Sequence, residues 1–151
     1  MTEGKQGFMD RALAEARAAG ERGEVPVGAV IVGPDRQVLA ACGNRTEAAA
    51  DPTAHAELLA IRAACAALAS PRLAGCDLYV TLEPCPMCAQ AISFARIARL
   101  YYGAADPKGG GVEHGPRIFH QPTCHHRPEL YPGIAEAACG KLLRDFFAAR
   151  R

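Results

Sequence analysis

Four side chains in this 151-residue sequence have the types and spacing of a metal-assisted reaction: His55, Glu57, Cys85 and Cys88. Cys85 and Cys88 stand three apart, so in the first turn of a helix their sulfurs share one face. Pro84 and Pro86 fix the chain entering that turn. His55 and Glu57 are two apart, about 200° around an ideal helix at ~100° per residue. In a helix interior they could not share a target, but at a first turn, with the target ahead of the helix end, they can flank it. One imidazole and two thiolates give zinc three protein ligands and leave its fourth tetrahedral position for water, which is the open, catalytic arrangement. A carboxylate beside that water and not a ligand, Glu57, is placed to shuttle protons. The expectation is one Zn2+ per chain. Alone, Cys-x-x-Cys reads equally as a structural site or as core cysteines; the ordered pair of motifs, each opening a helix, favours catalysis.

The elements that must position these residues are legible around them. Residues 8–19 place Phe8, Leu13 and Ala16 on one helical face, with Gly20 closing the helix. Residues 27–32 and 37–42 are short apolar strands joined by Gly33-Pro34-Asp35-Arg36, a hairpin. Residues 43–53 are polar and irregular. Thr53 reads as the N-cap of an Ala/Leu/Ile helix over 54–68. A strand over 77–82, a helix over 86–97 with proline at its first position, and a strand over 99–103 follow. Residues 106–132 form a long Gly-, Pro- and His-rich loop, a length that is usually functional. Helix returns over 133–150, broken near Gly140. Strand–helix–strand alternation implies parallel pairing, so the expected fold is α/β, a three-layer α/β/α sandwich on a mixed sheet, in a single domain over residues 1–151.

Composition sets bounds. Half of the residues are hydrophobic, 22% are charged and the net charge is +1, so a nucleic-acid partner would need a local basic patch. Seven cysteines, no secretory leader pattern and no bilayer-length apolar run point to a reducing cytoplasm and no membrane. Cys42, Cys65, Cys76 and Cys139 read as small apolar core residues. Cys124 could make a second metal site with His120, His125 and His126, although loop histidines need no metal; the sequence assigns no role to His114.

With these residues in view, the chain resembles the cytidine/deoxycytidylate deaminase superfamily, and within it the bacterial tRNA adenosine deaminases that edit the wobble position. The likeness runs from Phe8 to Arg150. It is carried by residues 24–30 (Glu-Val-Pro-Val-Gly-Ala-Val), Gly43-Asn44-Arg45, residues 51–57 (Asp-Pro-Thr-Ala-His-Ala-Glu), residues 78–88 (Leu-Tyr-Val-Thr-Leu-Glu-Pro-Cys-Pro-Met-Cys), Asp106-Pro107-Lys108 and residues 142–147 (Leu-Leu-Arg-Asp-Phe-Phe). His-x-Glu followed by Pro-Cys-x-x-Cys is the signature of zinc deaminases that act on nucleobases. The resemblance implies His55, Cys85 and Cys88 as ligands, Glu57 as proton shuttle, Asn44 bonding the target nucleoside, Val27 packing on the base and the Ala56 backbone reading the base edge. By the same resemblance the Asp106 region and the C-terminal helix hold the RNA loop. Read without it, Asn44 is a turn residue and Val27 is core. Two stretches depart from the family's common pattern. Residues 109–114 read Gly-Gly-Gly-Val-Glu-His instead of Gly-Ala-Ala-Gly-Ser-Leu, and residues 125–127 read His-His-Arg instead of Asn-His-Arg, putting His125 where an asparagine contact is common.

The implied activity is hydrolytic deamination of adenosine to inosine in a tRNA anticodon stem-loop, in a homodimer. Ile92, Phe94 and Ile97 give the helix over 89–97 more apolar surface than one face requires. Lys or Arg at 127, 141, 144, 150 and 151 would supply the basic patch. Two alternatives stand beside this: a deaminase of free guanine or cytosine, supported by the low net charge and the altered 109–127 loop, and a silent RNA-binding zinc protein, which would have no use for Glu57.

Overall fold

The computed structural model describes residues 4–150. In chain order the elements are α1 (Lys5–Glu21), β1 (Gly28–Val32), β2 (Val38–Gly43), α2 (Ala56–Leu68), β3 (Asp77–Leu82), α3 (Pro86–Ala95), β4 (Arg99–Ala104), a 3-10 turn (Ile118–His120), β5 (Glu129–Tyr131) and α4 (Glu136–Ala148). The strands form one sheet in the order β2-β1-β3-β4-β5. β1 is antiparallel to β2 and to β3, whereas β3, β4 and β5 run parallel. Helices cover both faces, α1 and α4 on one and α2 and α3 on the other, so the sandwich is the one expected.

The covering explains the strand sequences. In β1, Ala29 and Ile31 join the core under α2 and α3, while Val30 and Val32 join the core under α1 and α4. A strand buried on both faces has no polar alternation, and all five residues of β1 are buried. Tyr79, Tyr101 and Tyr131 are register partners on β3, β4 and β5, and their rings stack with centroids 4.4 and 4.8 Å apart.

Several boundaries differ from those expected. α1 is longer at both ends, and Arg22 rather than Gly20 ends it. α2 begins at Ala56 with His55, not Thr53, at its N-cap. The Thr53 N–H and hydroxyl both donate to Asp51 Oδ1, at 2.8 and 2.7 Å, which commits Thr53 to the preceding turn. α3 stops at Ala95 because Arg96 turns left-handed. The loop after β4 contains β5, three residues long and behind Pro128, too short for an alternation to register. α4 passes Gly140 without a break, since its packing against β4 outweighs the ~1 kcal/mol that an internal glycine costs. Among the described residues no helix is long and apolar enough to cross a membrane.

The topology gathers one edge of the sheet. β1 is antiparallel to β3, so the chain entering β1 and the chain leaving β2 both meet the carboxyl ends of β3 and β4. Ligand sites in open α/β sheets form at that edge.

Candidate active site and metal centre

His55 is the N-cap of α2, and Cys85 is the N-cap of α3, whose first residue is Pro86. Neither His55 nor Cys85 caps its helix with its own side chain, and both positive helix ends point at the space between these residues. Cys88 lies on the first turn of α3, fully buried. The His55 Nδ1 atom is 3.6 Å from Cys85 Sγ and 3.5 Å from Cys88 Sγ. One ligand atom from each of the three lies within 4.8 Å of the others, and no second such group occurs among the described residues, so Cys124 and its neighbouring histidines form none.

Mutual hydrogen bonding and burial set the two thiols of this trio apart. The hydrogen bond from Cys88 and the neighbouring His55 draw the Cys85 thiol down to about 4. The same bond and burial push the Cys88 thiol up. Two thiolates cannot both ionise at this separation unless a positive charge sits among them. Two soft sulfurs and an imidazole nitrogen, opposed by two helix N-termini, form a donor set that fits zinc.

Glu57 is 4% exposed, in the first turn of α2. Burial pushes its carboxyl up to about 7, with the Cys85 charge adding to the shift. A group in that range can hold or release a proton near neutrality.

A cleft of about 290 Å³ opens over these groups, and Val27, Asn44, Thr46, His55, Glu57 and Asp106 line it. Asn44 closes one side. Its Oδ1 accepts the Ala56 N–H at 2.8 Å and its Nδ2 donates to the Val25 carbonyl at 3.1 Å. Val27 is 5% exposed and serves both the core and the cleft wall. The cleft thus joins Val27, Asn44, His55, Glu57 and Asp106, with Ala56 behind Asn44 and Cys88 beneath. His125 is not in its wall. It is exposed on a segment pinned to α3, where Ser93 Oγ donates to the His126 carbonyl at 2.8 Å and His126 Nε2–H donates to the Ile97 carbonyl at 2.7 Å.

Two buried carboxylates at the cleft, Glu24 behind its wall and Glu83 in it, were given no role by the sequence reading. Glu24, 1% exposed, accepts the N–H groups of Glu47 and Ala48 and the Thr46 hydroxyl. Glu83, 2% exposed, accepts N–H groups from Asp106, Val112, Glu113 and His114. The only signal was a charged residue closing or adjoining an apolar run. A larger cleft of about 570 Å³ lies between the end of β4 and α4, lined by Ala104, Pro107, Gly140, Leu143 and Arg144.

An open α/β sheet with a histidine and two cysteines at converging helix starts, and a buried glutamate beside them, defines a zinc-type deaminase. The cytidine and deoxycytidylate deaminase zinc-binding region matches residues 2–104, and the chain belongs to that family. Within it, the chain is 63% identical over 144 residues to the tRNA-specific adenosine deaminase of Agrobacterium fabrum, covering 95% of this chain and 94% of the relative. A solved structure from work on A-to-I editing by tRNA:A34 deaminases at the wobble position is 64% identical, with a TM-score of 0.88 over 90% of this chain and 98% of that one. The guanine deaminase of Nitrosomonas europaea shares the fold, with a TM-score of 0.82 at 23% identity over 98% of this chain and 86% of that one.

Proposed function

We propose that the chain is a tRNA adenosine deaminase that converts adenosine to inosine at the wobble position of an anticodon loop. The observation that carries this reading is the cleft itself: a buried Glu57 beside a His-Cys-Cys group able to hold a metal, in a chain 63% identical along almost its whole length to a tRNA-specific adenosine deaminase. The likeness to guanine deaminase is one of fold and does not favour a free base.

His55 through Nδ1, Cys85 and Cys88 would hold one Zn2+ per chain. A zinc ion held there would supply Lewis acidity that lowers the pKa of water toward neutrality. The remaining work falls to the protein. Glu57 takes a proton from the attacking water and delivers it to the ring nitrogen of adenine. Once the water oxygen has bonded to C6, Glu57 takes the remaining hydroxyl proton and gives it to the amine, so that the C–N bond breaks, ammonia leaves and a carbonyl stays at C6. Val27 packs on the base. An amide carries two N–H groups and two lone pairs, so the bonds from Asn44 to Ala56 and Val25 leave it a second donor for the base edge. Asp106 forms the opposite wall. The Ala56 N–H would have to exchange its Asn44 partner to read the base directly. His125, as placed, would touch RNA outside the cleft.

The target base must leave its stack to reach Glu57, which is easiest in a single-stranded loop. Arg127, Arg144 and Arg150 are exposed and would supply the phosphate contacts, whereas Lys141 is paired with Asp145 at 2.6 Å. We assign the whole of residues 1–151 to one catalytic domain acting in the cytoplasm, as a homodimer. Support for the dimer narrows to Phe94, 67% exposed on α3, because Ile92 and Ile97 are fully buried in the chain's own core.

The test offers purified enzyme an anticodon stem-loop with adenosine at the wobble position, alongside free guanine, cytosine, cytidine and adenosine. Inosine in the stem-loop, with binding that weakens steeply as salt rises, is expected. Rapid turnover of a free base with an untouched stem-loop would overturn the reading.

A further inference from the structure

Glu83 takes no part in the chemistry above, yet it is the most heavily hydrogen-bonded carboxylate around the cleft. It sits at the end of β3, directly before Pro84 and Cys85, with its side chain 0% exposed. A buried charge persists only when paired or hydrogen-bonded, and the partners named here all come from one segment, residues 106–114. Oε1 accepts the Asp106 N–H at 3.0 Å and the His114 ring at 2.7 Å. Oε2 accepts the N–H groups of Val112, Glu113 and His114 at 3.2, 3.0 and 3.1 Å. A carboxylate can only accept, so His114 Nδ1 carries the proton of the ring contact.

Backbone N–H groups curled around an anion make the concavity that elsewhere holds phosphate; in this chain the anion is internal. The approach is close enough to require glycine. A Cβ on Gly110 would stand 2.4 Å from Glu83 Oε2, and one on Gly111 would stand 2.5 Å from the Pro86 nitrogen. The Gly111 N–H also donates to the Pro84 carbonyl at 2.8 Å. The other end of the segment faces substrate, since Asp106 and Gly109 line the cleft. The Asp106 carboxylate in turn accepts the N–H groups of Lys108 and Gly109.

We propose that Glu83 and His114 form a positioning pair that fixes the 106–109 wall of the substrate cleft to the strand carrying the metal-ligand turn. Glu83 is the anion around which the segment folds. His114, in the stretch where this chain departs from the family's common pattern, holds the carboxylate in the orientation that all four backbone donors need. For its substrate the proposal rests on the tRNA reading; for the order of the segment it does not.

His114→Ala removes the ring donor, and His114→Asn keeps an N–H where Nδ1 stood. Both zinc-loaded variants are compared with wild type by amide hydrogen exchange over residues 106–114 and by kinetics on the wobble-adenosine stem-loop. Losing one hydrogen bond to a charged group corresponds to about tenfold in an equilibrium. His114→Ala is therefore expected to exchange about tenfold faster at Asp106 and at 112–114. It should also raise KM about tenfold, while kcat stays within about threefold and zinc content is unchanged. His114→Asn should restore most of both. Unchanged exchange in His114→Ala, equal impairment of the two variants, or faster exchange with an unchanged KM overturns the pair. Exchange is read without substrate. Wild type that leaves the stem-loop untouched defeats the substrate reading alone, and exchange then decides the pair.

Discussion

Asn44 Oδ1 accepts the backbone N–H of Ala56 at 2.8 Å, so the residue lining the cleft also satisfies the first turn of the helix that carries His55 and Glu57. On the role proposed for Asn44, stability and substrate binding would be joined in one side chain. Asn44→Ala leaves the buried Ala56 N–H without its partner, while the Val25 carbonyl keeps the Val27 N–H, a loss of about 1–3 kcal/mol. Thermal unfolding should show that loss at unchanged zinc content, and kcat/KM should fall further than the folded fraction does. A melting curve matching wild type would remove Asn44 from the support of α2.

The zinc assignment makes a direct analytical prediction. Native protein should carry about one zinc per chain, and Cys88→Ala about none, because an open catalytic site cannot lose one of three protein ligands and stay occupied. Elemental analysis after gel filtration measures both. Full zinc retention in Cys88→Ala would contradict the ligand set.

Glu57→Gln keeps the shape of the side chain and removes its proton chemistry. Zinc content and stem-loop affinity should stay near wild type while single-turnover deamination falls at least about 10²-fold, the range for losing a positioned acid–base group. Activity within about tenfold of wild type would show that some other group moves the protons.

How much of this was readable in the sequence depended on how local the determinants were. His55, Glu57, Cys85 and Cys88 announced themselves because each pair opens a helix, and a helix start fixes direction within a few residues. β3 was legible to the residue because both faces are covered and residues 78–82, Leu-Tyr-Val-Thr-Leu, are all strand-compatible with no glycine or proline among them. Thr53 was misread as a cap because its competitor, Asp51, offers an acceptor two residues away and takes both donors. β5 and the unbroken α4 were hidden because neighbouring strands, not their own residues, stabilise them. Glu83 was hidden most completely, since its partners lie 23 to 31 residues further along the chain.

Glu24 yields a prediction about acid. Burial alone would raise its carboxyl, but the N–H groups of Ala48 and Glu47, the Thr46 hydroxyl and the Arg22 charge outweigh burial and hold it below the usual 4.5. A carboxylate with a depressed folded pKa contributes stability that is fully present above the unfolded value and is lost as pH falls through the folded one. Glu24→Gln keeps one acceptor oxygen where wild type has two charged ones, so it should melt lower than wild type at neutral pH. The gap should stay constant while pH lies above the ordinary carboxylate range and close as pH falls below it, as wild type protonates and loses what the variant never had. Thermal melts of both proteins across that range measure the closure. A gap that stays constant into acid would mean that Glu24 is held by shape and not by charge, and the turn over residues 46–48 beside the cleft would need another anchor.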